Sequence, residues 1–143
     1  MKSKITFLIF ITAFMIGCNS DDDNVSSSLE NSNVILVEDD LFLNAPNDEF
    51  EIIVASISDN NLNITLFYGG GCGNIYYDLV TGNDYLETTP IQKNIRIAFD
   101  DKDNCEAGIE LELSFDLTQI QVSNTDRIIL NLDNWEDQIE YNY

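Results

Sequence analysis

Apolar and polar residues alternate along much of this chain, and the alternation decides its fold class. Over residues 109–117 every second side chain is apolar, and the positions between them are polar or acidic. Residues 62–68 and 128–132 repeat the pattern. Successive side chains of a strand point to opposite faces, so a period of two predicts strands with one face on a core and the other in water.

Turn-forming residues divide the alternating segments into short strands. Residues 50–57 and 62–68 flank Ser58–Asn61, in which Asp and Asn tolerate the positive φ of a tight turn, so a hairpin is expected there. Further strands are predicted over residues 34–38, 74–81, 91–99 and 139–143. Helical spacing is nearly absent. The pattern predicts one all-β domain at residues 34–143, an antiparallel β-sandwich or barrel-like fold.

The N-terminal residues differ in composition from this domain. Two lysines precede the apolar run Ile5–Ile16, which is too short to cross a hydrocarbon core of roughly 30 Å as a helix. Residues 1–17 are therefore predicted to be a signal peptide. The sequence Met15-Ile16-Gly17-Cys18 resembles the lipobox of bacterial lipoproteins, in which the cysteine is acylated and becomes the new N-terminus. The resemblance implies that Cys18 carries a lipid that anchors the protein to a membrane.

Polar and acidic residues follow this cysteine directly. They include Ser20, Asp21, Asp22 and Asp23. This run resembles the export signal that directs Bacteroidota lipoproteins to the outer leaflet of the outer membrane. It implies display on the cell surface, and an anchor facing the periplasm is the alternative. Residues 18–33 hold few apolar side chains and are expected to form an acidic flexible tether.

The charge of the chain excludes several classes of function. With 6 Lys and Arg against 26 Asp and Glu, the formal net charge is −20. Nucleic acid is excluded as a partner because its phosphates must be neutralised by clustered Lys and Arg. Attraction to anionic lipid headgroups is excluded for the same reason. The chain has no histidine, which excludes Ser/His/Asp and Cys/His catalysis and histidine-bearing zinc sites.

Two cysteines remain once Cys18 is acylated. Cys72 lies in a glycine-rich segment and Cys105 in an acidic one. Beyond the cytoplasm the surroundings are oxidising, so a disulfide between Cys72 and Cys105 is expected. Two free buried thiols are the alternative. A reactive thiol would need a histidine or a basic cluster to favour the thiolate, and the neighbouring sequence contains neither.

The sequence around these two cysteines resembles a group of bacterial lipoproteins. Tyr68-Gly-Gly-Gly-Cys72, followed by Asn104-Cys105-Glu106-Ala107 and by Ser114-Phe115-Asp116-Leu117, is similar to small Bacteroidota outer-membrane lipoproteins with a GGGC and CEA signature. The resemblance implies a lipid-anchored envelope protein and carries no assigned activity with it.

Acidic loops offer candidate ligands for a hard cation. Ca²⁺ takes about six to eight oxygen ligands from carboxylates, amides and carbonyls. The first candidate cluster is Asp100, Asp101, Asp103 and Asn104, and the second is Asp133, Asn134, Glu136 and Asp137. In the register of an EF-hand loop, Cys105 replaces an oxygen ligand and Glu106 replaces the turn glycine. A solvated loop is therefore expected without a cofactor, and Ca²⁺ is the alternative.

Two further features are candidates for function. Glu110, Glu112 and Asp116 share one face of a predicted strand, where residues i and i+2 lie about 6.7 Å apart. Paired carboxylates hydrolyse glycosides at separations of about 5–9.5 Å when one is kept protonated. Trp135 lies in a polar turn, where an indole either stacks on a sugar or a partner or caps the core.

Together these features predict a lipid-anchored envelope protein with a non-catalytic binding or structural role. The membrane is a partner through the anchor, and a protein or a glycan is left open as a further partner. A Ca²⁺-dependent or carbohydrate-binding accessory module is the alternative function. A small carboxylate-based hydrolase is the third.

Overall fold

The structure, a computed structural model, describes residues 28–102 and 104–143. The predicted signal peptide and most of the predicted tether lie outside these residues. The described strands are β1 (Leu36–Val37), β2 (Glu51–Ser58), β3 (Asn61–Gly70), β4 (Ile75–Thr81), β5 (Gln92–Asp101), β6 (Ala107–Asp116), β7 (Arg127–Leu132) and β8 (Ile139–Asn142). A helix, α1 (Asp39–Asn44), and a 3-10 turn at Thr118–Ile120 accompany them.

The strands form two sheets, which confirms the all-β prediction. One sheet has the order β1-β4-β5-β7-β8 and the other the order β2-β3-β6. The predicted hairpin is confirmed as well, because Ser58 pairs with Asn61 and Asp59 adopts a φ of 53° in the turn. Among the described strands, β1 with β4 and β5 with β7 run parallel, and the other neighbours are antiparallel. Alternation alone does not report direction, because side chains alternate between faces in both arrangements.

The inner faces of the two sheets share one apolar core. Alternate residues of β3, from Leu62 to Tyr68, are buried in the same cluster as alternate residues of β5, from Ile95 to Phe99. The ring centroid of Phe99 lies 5.3 Å from that of Tyr68 and 5.4 Å from that of Phe50, both in edge-to-face contact. Burying a side chain of this size contributes about 1.5–3 kcal/mol relative to leaving it exposed. The core is therefore what holds the outer faces of the sheets in place.

The segment that leads into β1 joins the two sheets. The backbone N–H of Asp116, at the end of β6, donates to the carbonyl of Asn33 at 2.8 Å, and its carbonyl accepts from Ile35 at 3.0 Å. Leu36 and Val37 then pair with β4 in the other sheet. On the opposite side of the domain β2 lies beside β8. The sandwich is thus connected along one side, which gives it its barrel-like character.

Helix α1 covers the outer face of the five-stranded sheet. Its residue Leu41 is buried with Val80 and Ala98 in a second, smaller cluster. The guanidinium of Arg96 donates hydrogen bonds at 2.7–3.3 Å to the carbonyl oxygens of Leu41, Phe42, Ala45 and Pro46. Carbonyls at a helix C-terminus need partners from outside the helix, and Arg96 supplies them. The sequence did not predict α1, because six residues are too few to show a helical period.

The residues before β1 are held against β4. Leu29 is buried in the same cluster as Leu41. The carboxylate of Asp78, which is fully buried, accepts hydrogen bonds from the backbone N–H groups of Glu30 and Ser32 at 2.8 and 2.6 Å. The boundary predicted between tether and domain therefore falls inside a packed segment. A buried carboxylate binds this backbone, and composition alone does not reveal such a partner.

Candidate functional site

The outer face of the three-stranded sheet places exposed apolar side chains beside acidic ones. Strand pairing sets them in rows across the sheet, with Glu51, Phe67 and Glu110 in one row. Phe67 is 40% exposed and Val54, in the next row, is 48% exposed. We call this surface the Phe67 face, and its members are Glu51, Val54, Thr65, Phe67, Gly108, Glu110 and Glu112.

A β-bulge extends the apolar part of this surface to the sheet edge. The pairing of β2 with β3 passes from Ile52 to Val54 and skips Ile53. Ile53 is 44% exposed. Bulges occur at sheet edges and re-aim side chains there. As a result, β2 presents two neighbouring apolar side chains, Ile53 and Val54, next to the Phe67 face.

The ring of Phe67 leans from β3 onto the backbone of β6. A Cβ atom placed on Gly108 would meet Cζ of Phe67 at 2.6 Å, so the ring occupies the space that a side chain would take there. Gly108 pairs with Gly69 on β3, and the carboxylate of Glu106 lies next to Gly69, with its Oε2 atom 3.5 Å from where a Cβ atom on Gly69 would be. Gly108 thus lets the aromatic ring lie against the backbone of the sheet, where the ring remains 40% exposed.

A cleft lies beside this ring. It has a volume of about 550 Å³. Its acidic lining is Glu49, Glu51, Asp101 and Glu106, and its aromatic lining is Phe50, Phe67 and Tyr68. A second depression of about 480 Å³ follows along the next rows, past Thr65 and Glu112. Carboxylates attract a cation by charge and an aromatic ring attracts it through its quadrupole, so this combination favours a positively charged ligand.

The disulfide fixes one end of the cleft. Cys72 and Cys105 are bonded, with their Cα atoms 5.9 Å apart, which confirms the expected pairing. The bond joins the β3–β4 connection to the β5–β6 connection, directly before Glu106 at the cleft. Gly71, next to the bond, has a φ of 110°, which glycine adopts without the steric penalty of a side chain.

Lys93 is directed into the domain rather than to its surface. It is fully buried, and its ammonium donates to the carbonyl oxygens of Gly82 and Asp84 at 2.6 and 3.0 Å. The same ammonium lies 3.8 Å from the centroid of the Tyr85 ring. Burial lowers the pKa of Lys93, and the charges of Asp84 and Asp39 oppose that shift. Lys93 fastens the loop after β4 and adds no positive charge to the surface.

The other basic side chains of the described residues are also buried or paired. Arg96 is 9% exposed beneath α1. The ammonium of Lys102 pairs with Asp100 at 2.7 Å, and the guanidinium of Arg127 pairs with Glu140 at 3.2 Å. Within residues 28–102 and 104–143, every exposed cation has a carboxylate partner. The surface of the domain therefore presents almost uncompensated negative charge.

The first predicted cation cluster is described only in part, because Asp103 lies outside the described residues. Asp100 is paired with Lys102, and the backbone N–H of Asp101 donates to the carboxylate of Asp48 at 2.7 Å. Among the residues that the structure does describe, no group of three or more carboxylate or sulfur ligands is arranged to hold a metal ion. Ca²⁺ binding stays a prediction.

The predicted carboxylate row and Trp135 occupy different parts of the domain. Glu110 and Glu112 lie on the outer face, opposite Phe67 and Thr65. Hydrogen bonds from Thr118 hold the pKa of Asp116 below its usual range, whereas a general acid needs a raised pKa. Trp135 is half-buried and packs against the main core, as a residue that caps the sandwich would. A ligand role for Trp135 stays a prediction.

The predicted anchor and export signal lie outside the described residues. These are Cys18, Ser20, Asp21, Asp22 and Asp23. Over the part of the chain that is described, none of the helices is long and apolar enough to cross a membrane.

Sequence reasoning missed Phe67 and Gly108 as site residues. Phe67 occupies a polar position of the alternating pattern in β3, between Leu66 and Tyr68. An aromatic residue in the wrong phase is the signal that could have identified it. Phe67 and Gly108 are 41 residues apart in sequence, and the pairing register of β3 with β6 brings them into contact. No local sequence pattern predicts that register.

Comparison with solved structures finds a similar fold in proteins from Bacteroides. A protein of unknown function, DUF1344, from Bacteroides vulgatus matches with a TM-score of 0.54 and 16% identity, over 77% of this chain and 55% of that chain. A NigD-like immunity protein from Bacteroides caccae matches with a TM-score of 0.55 and 14% identity, over 77% of this chain and 58% of that chain.

This chain therefore spans less than two thirds of the length of each of these two proteins. No family model matches the sequence. No curated protein matches it either. At these identities the likeness to the two Bacteroides proteins shows a similar fold alone.

Proposed function

We propose that this protein is a lipid-anchored binding protein of the cell envelope, displayed on the outer membrane surface, without catalytic activity. Its partner is a positively charged protein. The observation that carries the proposal is the distribution of charge. The chain has a formal net charge of −20, while Lys93 and Arg96 are buried and Lys102 and Arg127 are paired.

Such a surface acts at long range. Uncompensated charge steers an oppositely charged partner, raises its association rate and repels partners of the same sign. Burial of cations is costly, because Lys93 and Arg96 must be removed from water. Placing them inside leaves the outer surface free to select for positive charge.

The proposed location rests on the N-terminal sequence. Gly17-Cys18 and the run Ser20–Asp23 are similar to the processing and export signals of Bacteroidota lipoproteins. The Cys72–Cys105 disulfide supports a location outside the cytoplasm, because such bonds form and persist in oxidising compartments. One structural neighbour is described as a NigD-like immunity protein, and at 14% identity it supports the fold alone.

Fractionation of cells tests the anchor. We expect the wild-type chain in the membrane fraction and the Cys18→Ala variant released or unprocessed, because only the acyl chains would hold it there. Protease added to intact cells should degrade the domain before lysis. Membrane retention of processed Cys18→Ala, or protection until lysis, would contradict the proposed location.

Carbodiimide coupling on intact cells tests the partner. The reagent joins a carboxylate to an amine that touches it, so it reports ion pairs between this domain and lysines of a partner. We expect an adduct with a protein whose contacting domain is basic, and its loss in cells carrying Cys18→Ala. An adduct with an acidic protein, or the absence of any adduct, would overturn the proposed partner class.

A further inference from the structure

We infer that the Phe67 face is the docking surface for the positively charged partner, and that an arginine side chain of the partner stacks on the ring of Phe67. This inference rests on the proposed function and adds the place of contact. Its premises are the exposed ring, the cleft beside it and the carboxylates on both sides of it.

The apolar part of the face has no cover within the described residues. Phe67, Val54 and Ile53 are each at least 40% exposed and lie on or beside one sheet face. Exposed apolar patches rimmed by polar side chains mark interaction sites. The two depressions of about 550 and 480 Å³ lie along neighbouring rows of this sheet. The face therefore has the shape and composition of an interface.

Charge decides between three occupants of this face. A second copy of the chain would bring a further formal charge of −20. The chain's own N-terminal tether would bring Asp21, Asp22 and Asp23. Both would place like charges against Glu51 and Glu110, which disfavours the contact. A basic protein is the occupant whose charge is complementary.

The geometry around Phe67 favours arginine over other side chains. Glu51 and Glu110 stand directly opposite Phe67 on the two neighbouring strands. A guanidinium stacks its plane on an aromatic face and donates in its plane to carboxylates, so the ring and the flanking acids can bind it together. Because Gly108 has no side chain, the ring of Phe67 lies against the backbone of β6 and is still 40% exposed, which leaves ring surface for that group to stack on.

The test is an NMR titration of the ¹⁵N-labelled full-length chain in a mild non-ionic detergent. The probe is the peptide acetyl-Gly-Arg-Gly-amide, and the control is the same peptide with citrulline, which has the shape of arginine without its charge. We expect saturable shifts of the backbone amides of Phe67, Gly69 and Gly108 with the arginine peptide. The citrulline peptide should leave these amides unchanged.

Two variants test the role of the ring. Phe67→Ala should weaken binding of the arginine peptide by about two- to five-fold, which corresponds to the energy of an exposed cation–π contact. Gly108→Ala keeps every functional group but forces the ring from its position, and it should weaken binding in the same direction. The matched control is Tyr76→Ala, which removes an aromatic residue of similar exposure, 39%, from another strand.

A carboxylate pair of variants completes the test. Glu51→Gln should weaken binding of the arginine peptide. The control Glu87→Gln, at an exposed site in the loop after β4, should leave the binding unchanged. Amide shifts spread along many acidic segments, with Phe67→Ala binding the arginine peptide as tightly as wild type, would overturn the docking surface. That result would leave the proposed partner class standing. Localised binding without a carbodiimide adduct on cells would instead support the site and contradict the proposed function.

Discussion

Two buried charged residues, Arg96 and Asp78, show how single side chains organise this domain. Each lies on the outer face of the five-stranded sheet and binds backbone groups of a segment that packs on that face. Arg96 holds helix α1, and Asp78 holds residues 30–32. A buried charge that satisfies several backbone groups is hard to replace, because its loss leaves those groups without partners.

Replacing Arg96 should destabilise the domain strongly. Arg96→Met keeps the length of the side chain but removes the donors to four carbonyls of the α1 segment. We expect a loss of about 2–4 kcal/mol in the free energy of unfolding, because partly buried carbonyls lose charged donors. Urea unfolding at neutral pH measures it.

The control for this change is Arg127→Met. Arg127 is exposed and paired with Glu140, so its replacement should cost less than about 1 kcal/mol. Equal losses in the free energy of unfolding for the two variants would show that the hydrogen bonds from Arg96 to α1 stabilise the domain no more than an exposed ion pair does.

The stability contributed by Asp78 should depend on pH. Burial raises the pKa of this carboxyl, although the N–H groups of Glu30 and Ser32 oppose the shift. The folded state then binds the proton more readily than the unfolded state, so stability from this group increases as pH falls through the raised pKa towards 3.8. Asp78→Asn cannot titrate. The stability of wild type relative to Asp78→Asn should therefore rise between about pH 7 and pH 4.

Urea unfolding at several pH values checks this sign. Asp39→Asn serves as the comparison, because its pKa is lowered by hydrogen bonds from Asn83 and its contribution is lost on acidification. If the difference between wild type and Asp78→Asn stays constant or shrinks as pH falls, burial does not control this carboxyl.

At the scale of elements, the strands and the crosslink could be read from the sequence. Alternation located β3 and β6, Asp59 and its neighbours marked the hairpin, and the two cysteines left after the predicted lipidation of Cys18 predicted the disulfide. These features depend on local period or on a small number of partners. Helix α1 is too short to show a helical period. The parallel pairs and the packing of residues 29–32 on β4 depend on contacts distant in sequence, which no local pattern reports.

The candidate site shows the same limit. Glu110 and Glu112 were assigned to one wet face from their spacing, and they do lie there. Their neighbour in the candidate site is Phe67. Strand register places Phe67 opposite Glu110, and its ring lies over Gly108 because that residue has no side chain. Composition does not reveal that Gly108 makes space for the ring of Phe67, which is 41 residues away in sequence.

Breaking the disulfide should destabilise the end of the domain that carries the cleft. The cysteines are 33 residues apart, and in the chain-entropy model a bond of that span contributes about 3–4 kcal/mol. The double variant Cys72→Ser, Cys105→Ser should lose that amount in urea unfolding without a reductant. Wild type in reductant should match it. A loss below about 1 kcal/mol would mean that the connections are held by packing alone.

At the scale of the whole molecule, the net charge should make stability depend on salt. The folded domain confines many carboxylates that repel each other, and ions screen repulsion at separations beyond about 8–10 Å at physiological strength. We expect the melting temperature to rise as NaCl increases from about 0.01 to 0.5 M, because screening relieves the compact state more than the unfolded one. A falling melting temperature would show that attractive ion pairs outweigh repulsion.

The same physics sets how a cationic partner should behave on the cell. Contacts between opposite charges weaken as salt is added, whereas contacts made by apolar surface do not. The most direct measurement is the yield of the carbodiimide adduct on intact cells as NaCl is raised from about 0.02 to 0.5 M before coupling. We predict an adduct with a basic protein that falls steeply with salt, and an adduct that is absent or indifferent to salt would contradict recognition by this anionic surface.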